Sequence, residues 1–244
     1  MQLAIDRQAV NDSVMFGIGL IEMPGSSGGS LNDVGIPYDQ LITMPGWRQP
    51  KDQDIAEAKR LLADAGHPNG MKLRGPYIST FTSVPQIAEV TATQLKAAIG
   101  VDIELVPMDA NLWFDTIRNK GDFDVTMGSS FIQFSADQKL TEYFYSKGAF
   151  NRSGIADPEL DDLIIKSKSV TDDTERRKMY AQAGRMLMDK AYYMSTVDTA
   201  YFGIIQPWVN NLYGNFAAQS QLRKPAEIWF DVDAMPQDRR TVPR

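Results

Sequence analysis

The chain of 244 residues contains no cysteine. Disulfides, thiolate metal sites and cysteine nucleophiles are all excluded, while the redox compartment stays open. Histidine occurs once, as His67, so a multi-histidine metal centre is excluded too. No apolar run approaches the roughly 18 residues that a membrane-spanning helix requires. Basic residues number 25 against 31 acidic ones, a net charge of −6. An acidic surface repels phosphate and argues against a nucleic-acid partner. The sequence has no Gly-rich phosphate loop, no dinucleotide fingerprint and no Gly-x-Ser-x-Gly turn. Its first residues lack the basic, apolar and small-residue succession of a secretory signal. They are expected to lie inside folded structure, as in a cytoplasmic protein or a piece of a longer one.

What is present is ordinary in bulk and informative in pattern. Hydrophobic residues make up 43% and charged residues 23%, a composition suited to one or two folded domains. Met1 to Val10 predicts an amphipathic helix with Leu3, Val10 and Val14 on one face and Asp6 and Arg7 away from it. Residues 17–50 are broken by Gly and Pro. They predict a long ordered surface loop anchored by Ile36, Tyr38, Leu41, Ile42 and Trp47. A helix capped by Asp54 is expected next, ending at Gly66. A strand from Lys72 to Ser79 follows, then a helix from Ser83 to about Ile99, stopped by Gly100. Val101, Ile103 and Leu105 alternate with polar neighbours as in a half-buried strand. Asp109 caps a short helix with Trp113, and Phe123, Val125 and Met127 predict a further strand. This alternation is α/β. Residues 129–152 are aromatic-rich and irregular, helices capped by Asp157 and Thr171 follow, and the chain turns β-prone after Ala191.

Catalytic signals are weak. His67 sits in a His-Pro-Asn-Gly turn, and no serine or carboxylate is placed beside it. The pairs Asp161-Asp162 and Asp172-Asp173 lie at helix starts, where carboxylates favour the dipole. No catalytic residue, metal ligand or cofactor is therefore expected. Binding is better supported, because open α/β sheets take ligands beyond the carboxyl ends of their strands. One such end carries Tyr77 and Phe81 and leads into a helix N-terminus. Another carries Ser129, Ser130, Phe131 and Gln133. These groups suit a small polar solute, and equally serve as core aromatics and turn-formers.

The ordered motifs carry a resemblance. Ala4-Ile5-Asp6-Arg7-Gln8-Ala9, the run from Ala56 to Gly70, the segments from Gln86 to Asp124, and Asn151 to Asp161 follow in series. Over roughly residues 2–200 the chain resembles the C-terminal part of family 5 extracytoplasmic solute-binding proteins of ABC importers. The resemblance implies a periplasmic-binding-protein type II-like α/β lobe with a mixed sheet and flanking helices, the N-terminal lobe being missing. Residues 1–191 would form the second lobe, and 192–244 the hinge return and C-terminal segment of the first. It implies a ligand-binding fragment, not an enzyme, that holds a solute between two lobes and docks on a membrane permease. The whole protein would be periplasmic or extracellular. Asn151, in the matching segment, joins Tyr77, Phe81, Ser129, Ser130, Phe131 and Gln133 as a candidate ligand-binding residue. Peptide binders of the family carry Trp and Asp at the places of Ser129 and Ile132. An unpaired buried ammonium is costly, so an oligosaccharide, an opine or another peptide-like solute fits better than a free peptide amine. Two alternatives remain: a ligand-sensing domain of a transcription regulator, and a small serine hydrolase using His67.

Overall fold

The computed structural model describes residues 1–21, 36–128, 135–197, 206–210 and 228–236. It divides into a unit of Met1–Ala200 and a smaller one of Tyr201–Arg244. In the first unit a 3-10 turn, Gln2–Ala4, precedes α1 (Arg7–Met15). The helix starts there because the Asp6 carboxylate accepts the Ala9 N–H at 3.0 Å. The expected single helix from Met1 is thus split by its own cap. Arg7 is also not on the outer face: it is only 2% exposed. Its guanidinium lies 4.1 Å over the Trp47 ring and donates to the carbonyls of Gly46 and Ser195. Tertiary acceptors outweigh the helical pattern here. Among the described residues between α1 and the next long helix lies one short helix, α2 (Tyr38–Leu41); residues 22–35 of the expected surface loop lie outside the described residues. Ile36, Leu41 and Trp47 anchor this stretch as expected, while Tyr38 and Ile42 are exposed.

The sheet is built by two strands around a long crossover. α3 (Asp52–Asp64) leads to β1 (Met71–Ile78), α4 (Val84–Ile99) crosses over, and β2 (Val101–Met108) pairs parallel with β1 from Met71↔Val101 to Ile78↔Met108. Gly70 and Gly100 launch the two strands side by side, both at positive φ. A Cβ on Gly70 would stand 2.0 Å from the Gly100 carbonyl oxygen, so only glycine fits. The expected third strand forms one parallel bridge, Tyr77↔Met127. It still runs along β1, with Val125 N–H donating to the Arg74 carbonyl and Met127 N–H to the Pro76 carbonyl.

Helices cover the sheet. Leu95 and Ile99 of α4 pack with Val101, Ile103, Val125, Ile5 and Ala58. A second cluster gathers Ile78, Val84, Met108, Trp113 and Ile117. Trp113 lies on α5 (Ala110–Phe114), which Asp109 caps as predicted and a π-helical stretch, Asp115–Lys120, continues. The largest cluster lies among α6 (Ala136–Lys139) with its π-helical extension Leu140–Phe144, α7 (Pro158–Ser169), α8 (Asp173–Asp189) and the Ile36–Trp47 stretch. Asp157 caps α7 as expected. Asp172 rather than Thr171 caps α8, its carboxylate reaching the Glu175 N–H at 2.8 Å.

In the second unit, β3 (Val209–Asn210) and β4 (Trp229–Phe230) form a short antiparallel pair. Parallel and antiparallel pairing therefore both occur among the described residues. No described helix is long and apolar enough to cross a membrane.

Candidate functional site

A cavity of about 460 Å³ opens in the first unit beside the segment from Phe123 to Gly128. Its other walls are the first turns of α4, the aromatic stretch from Tyr143 to Phe150 with Arg152, and the chain from Ala191 to Val197. That size suits a small solute.

The wall is built outward from the sheet edge. Thr126 sits between Val125 and Met127, whose N–H groups both face β1. The Thr126 hydroxyl accepts the Trp113 indole N–H at 2.9 Å and donates to the Pro76 carbonyl at 2.9 Å. These bonds fix the plane of a tryptophan that is only 2% exposed. Gly128 then passes over the ring so closely that a Cβ would lie 2.6 Å from it. Trp113 meets Phe114 edge-on, with centroids 5.1 Å apart, and Tyr143 meets Phe150 at 5.4 Å.

Arg152 enters among these rings. Its guanidinium carbon lies 4.6 Å from the Phe114 centroid, 5.1 Å from Trp113, 5.6 Å from Phe150 and 5.8 Å from Tyr143. The ring faces attract the cation. Burial lowers the Arg152 pKa; the Tyr143 and Tyr193 phenols act to raise it and the Arg118 charge to lower it. Lys139 supplies a second cation on the wall. The one acidic residue on the described wall is Asp124, whose carboxylate already accepts the Arg74 N–H at 2.7 Å.

The residues singled out in the sequence fall in three places. Tyr77 and Phe81 are half-buried against Ile78, Val84, Met108 and Trp113, behind the cavity wall rather than on it. Asn151 also stays off the wall: its amide donates to the Ile155 carbonyl at 2.7 Å and accepts the Ile155 N–H at 3.1 Å, which shapes the loop. Ser129, Ser130, Phe131 and Gln133 lie outside the described residues, directly after the wall residue Gly128. Trp113, Phe150 and Arg152 were missed as site residues. The signal was a lone arginine inside an aromatic-rich stretch, but which rings it meets depends on α5, some 40 residues earlier in the chain. His67 is exposed in the turn between α3 and β1, and its N–H donates to the Leu62 carbonyl at 2.8 Å. Among the described residues no group of three or more metal-ligating side chains occurs.

A parallel α/β lobe with a solute-sized cavity at its sheet edge defines the class: one lobe of a solute-binding protein. Comparison with known proteins gives the family. The profile of the bacterial extracellular solute-binding proteins, family 5, middle region, matches residues 1–152. The chain belongs to that family. It is 25% identical over 177 residues to the periplasmic oligopeptide-binding protein OppA of Escherichia coli K12, covering 71% of this chain and 32% of that protein. It is 28% identical over 162 residues to the dipeptide-binding protein DppE of Bacillus subtilis, covering 60% of this chain and 30% of that one. The solved murein tripeptide binding protein MppA of Escherichia coli superposes with a TM-score of 0.72 at 23% identity, over 86% of this chain and 40% of that structure. The chain thus spans about a third of the length of the curated relatives it matches. Members of the family are binding proteins, and the fold is a partial lobe of theirs.

Proposed function

We propose that this chain is the second lobe of an extracytoplasmic binding protein that delivers a small peptide-like solute to an ABC importer. The single observation carrying the reading is the cavity beside the Phe123–Gly128 segment, in a chain of this family. Residues 1–191 supply this lobe, and 192–244 return toward the first lobe, whose remainder is contributed by other sequence. Solute held on this wall is enclosed when the two lobes close about a hinge, and the closed form docks on the membrane permease. The protein binds and does not transform its solute, and it acts in the periplasm or at the cell exterior. The names of the relatives OppA and DppE favour peptides. Ile132 stands where peptide binders carry an aspartate, so recognition through a free peptide ammonium is disfavoured, and oligosaccharides and opines stay in the test panel.

Thermal melting of the purified chain with added solutes checks this. The panel is di- and tripeptides, glutathione, an oligosaccharide and an opine. The expected outcome is a melting temperature that rises with the concentration of at least one peptide-like solute. A midpoint unmoved by every solute at millimolar concentration contradicts the reading.

A further inference from the structure

We propose that Arg7 is a positioning residue for the cavity: it holds the chain from Met194 to Val197 in place as one of the walls. The functional half of this inference rests on the solute-binding reading, and it gives a role to the Ala4–Ala9 motif of the sequence. The stretch from Ala191 to Val197 lies on the cavity wall. Within it, the Ser195 carbonyl accepts the Arg7 Nε–H at 2.8 Å. The same guanidinium donates through Nη1 to the carbonyl of Gly46 and, at 3.4 Å, to that of Gln2. Met1 and Ile5, on either side of the Gln2–Ala4 turn, line the cavity as well. The preceding residue is tied to a third wall. Asp6 N–H donates to Gln94 Oε1 at 2.9 Å, and the Asp6 carbonyl accepts from Gln94 Nε2 at 3.2 Å. Gln94 belongs to α4, whose Val84, Ile87 and Leu95 line the cavity. Asp6 and Arg7 together therefore connect the N-terminal turn, the 191–197 stretch and α4.

A buried arginine is a costly way to gain stability alone. Arg7 is almost fully buried, its three acceptors are main-chain carbonyls, and its Nη2 has no hydrogen-bond partner. Desolvating a cation is expensive, and an apolar side chain of similar volume in such a place is often neutral or stabilising. Burial lowers the Arg7 pKa to about 10, with Asp54 and Asp6 acting the other way, so the side chain stays charged at neutral pH. What the planar fork supplies, and an apolar side chain does not, is register: its donors index carbonyls from distant parts of the chain. Lysine, a point charge, does not serve Gly46 and Ser195 with the same geometry. Tyr192 gives the stretch a separate tie, its hydroxyl donating to Asp157 at 3.2 Å. Loss of Arg7 should therefore loosen the later half of the stretch and spare its start.

Motion is read first, with no solute present. Heteronuclear NOEs of Ser195, Thr196 and Val197 are compared in the 15N-labelled parent, Arg7→Met and Arg7→Lys, with α7 and α8 as internal references. In the parent these three amides are expected to match the helices. In Arg7→Met they should fall well below them while Tyr192 and the helices stay unchanged, and Arg7→Lys should lie between. Trialanine and glutathione are then titrated into each chain. The affinity of whichever binds the parent is expected to fall at least about tenfold in Arg7→Met and less in Arg7→Lys. Thermal melts check folding, and Arg7→Lys carries the comparison if Arg7→Met does not fold. Unchanged motion at residues 195–197, motion that rises equally in the helices, or unchanged affinity in a folded variant overturns the proposal. A parent that binds neither compound contradicts the solute-binding reading and with it the part of Arg7 in solute binding, while the NOEs still decide whether Arg7 holds the wall.

Discussion

Asp54 shows how much one side chain can depend on its surroundings. Its carboxylate is fully buried and accepts from Arg48 Nε at 2.8 Å, Lys51 Nζ at 2.9 Å and the Gly46 N–H at 2.8 Å. Burial pushes its pKa up, but Lys51, the Gly46 amide and Arg48 together hold it below the usual carboxylate range. A carboxyl with a lowered folded pKa stabilises above its unfolded value and loses that contribution as pH falls through the folded one. Stability at this site is therefore expected to hold at neutral pH and to decline below about pH 4. Asp54→Ala strands Lys51 in the interior and is expected to cost about 3 kcal/mol or more, read by urea denaturation. It should also flatten the acid limb of the stability profile. The sequence placed Asp54 as a helix cap. It is instead inside the first turn of α3, because its three partners come from residues 46–51 and from packing that no local pattern reveals. Gly128 makes the second prediction at this scale. Gly128→Ala pushes a methyl against Trp113, so tryptophan emission should shift and solute binding weaken, with little change in helix content by circular dichroism.

At the scale of elements, much was legible because the signals were local. Alternation gave β2, Asp109 and Asp157 gave two helix starts, and Gly100 gave the end of α4 at φ 71°. The strand expected over Phe123 to Met127 kept its position but formed only one bridge. Alternation shows that a segment can line a sheet, whereas ladder length depends on its neighbour. The candidate site was less legible: α5, the 143–152 stretch and the sheet edge each looked unremarkable alone, and their meeting is tertiary. Two junctions are testable here. Gly70→Ala cannot be absorbed, since the new Cβ meets backbone of Gly100 rather than a flexible side chain. A loss of more than about 2 kcal/mol is expected, measured by chemical denaturation. Asp157 caps α7 and also binds Lys190 and Tyr192 beyond α8. Its pKa is lowered chiefly by Lys190. Asp157→Ala should therefore cost about 1–2 kcal/mol and raise hydrogen-exchange rates at both the start of α7 and the end of α8.

For the whole molecule, the division at Ala200 makes a plain statement about cooperativity. The described members of the clusters around Leu95, Trp113 and Leu187 belong to the first unit. A chain ending at Ala200 is expected to keep one cooperative transition with a midpoint within a few degrees of the parent. The second unit leaves Trp229, Phe230 and Val232 between 47% and 57% exposed. Its removal should reduce self-association in ultracentrifugation. The β-prone character of this region was visible in sequence, and the described pair Val209–Asn210 with Trp229–Phe230 agrees with it.

The central claim is that the wall from Phe123 to Gly128 receives a solute. The most direct measurement is an NMR titration of the 15N-labelled chain with trialanine and glutathione, mapping every shifted amide. The account predicts shifts concentrated at Ser83, Gly128, Phe150 and Arg152, saturating with ligand. Shifts confined to the outer faces of α7 and α8, or a spectrum unmoved at millimolar solute, would contradict it.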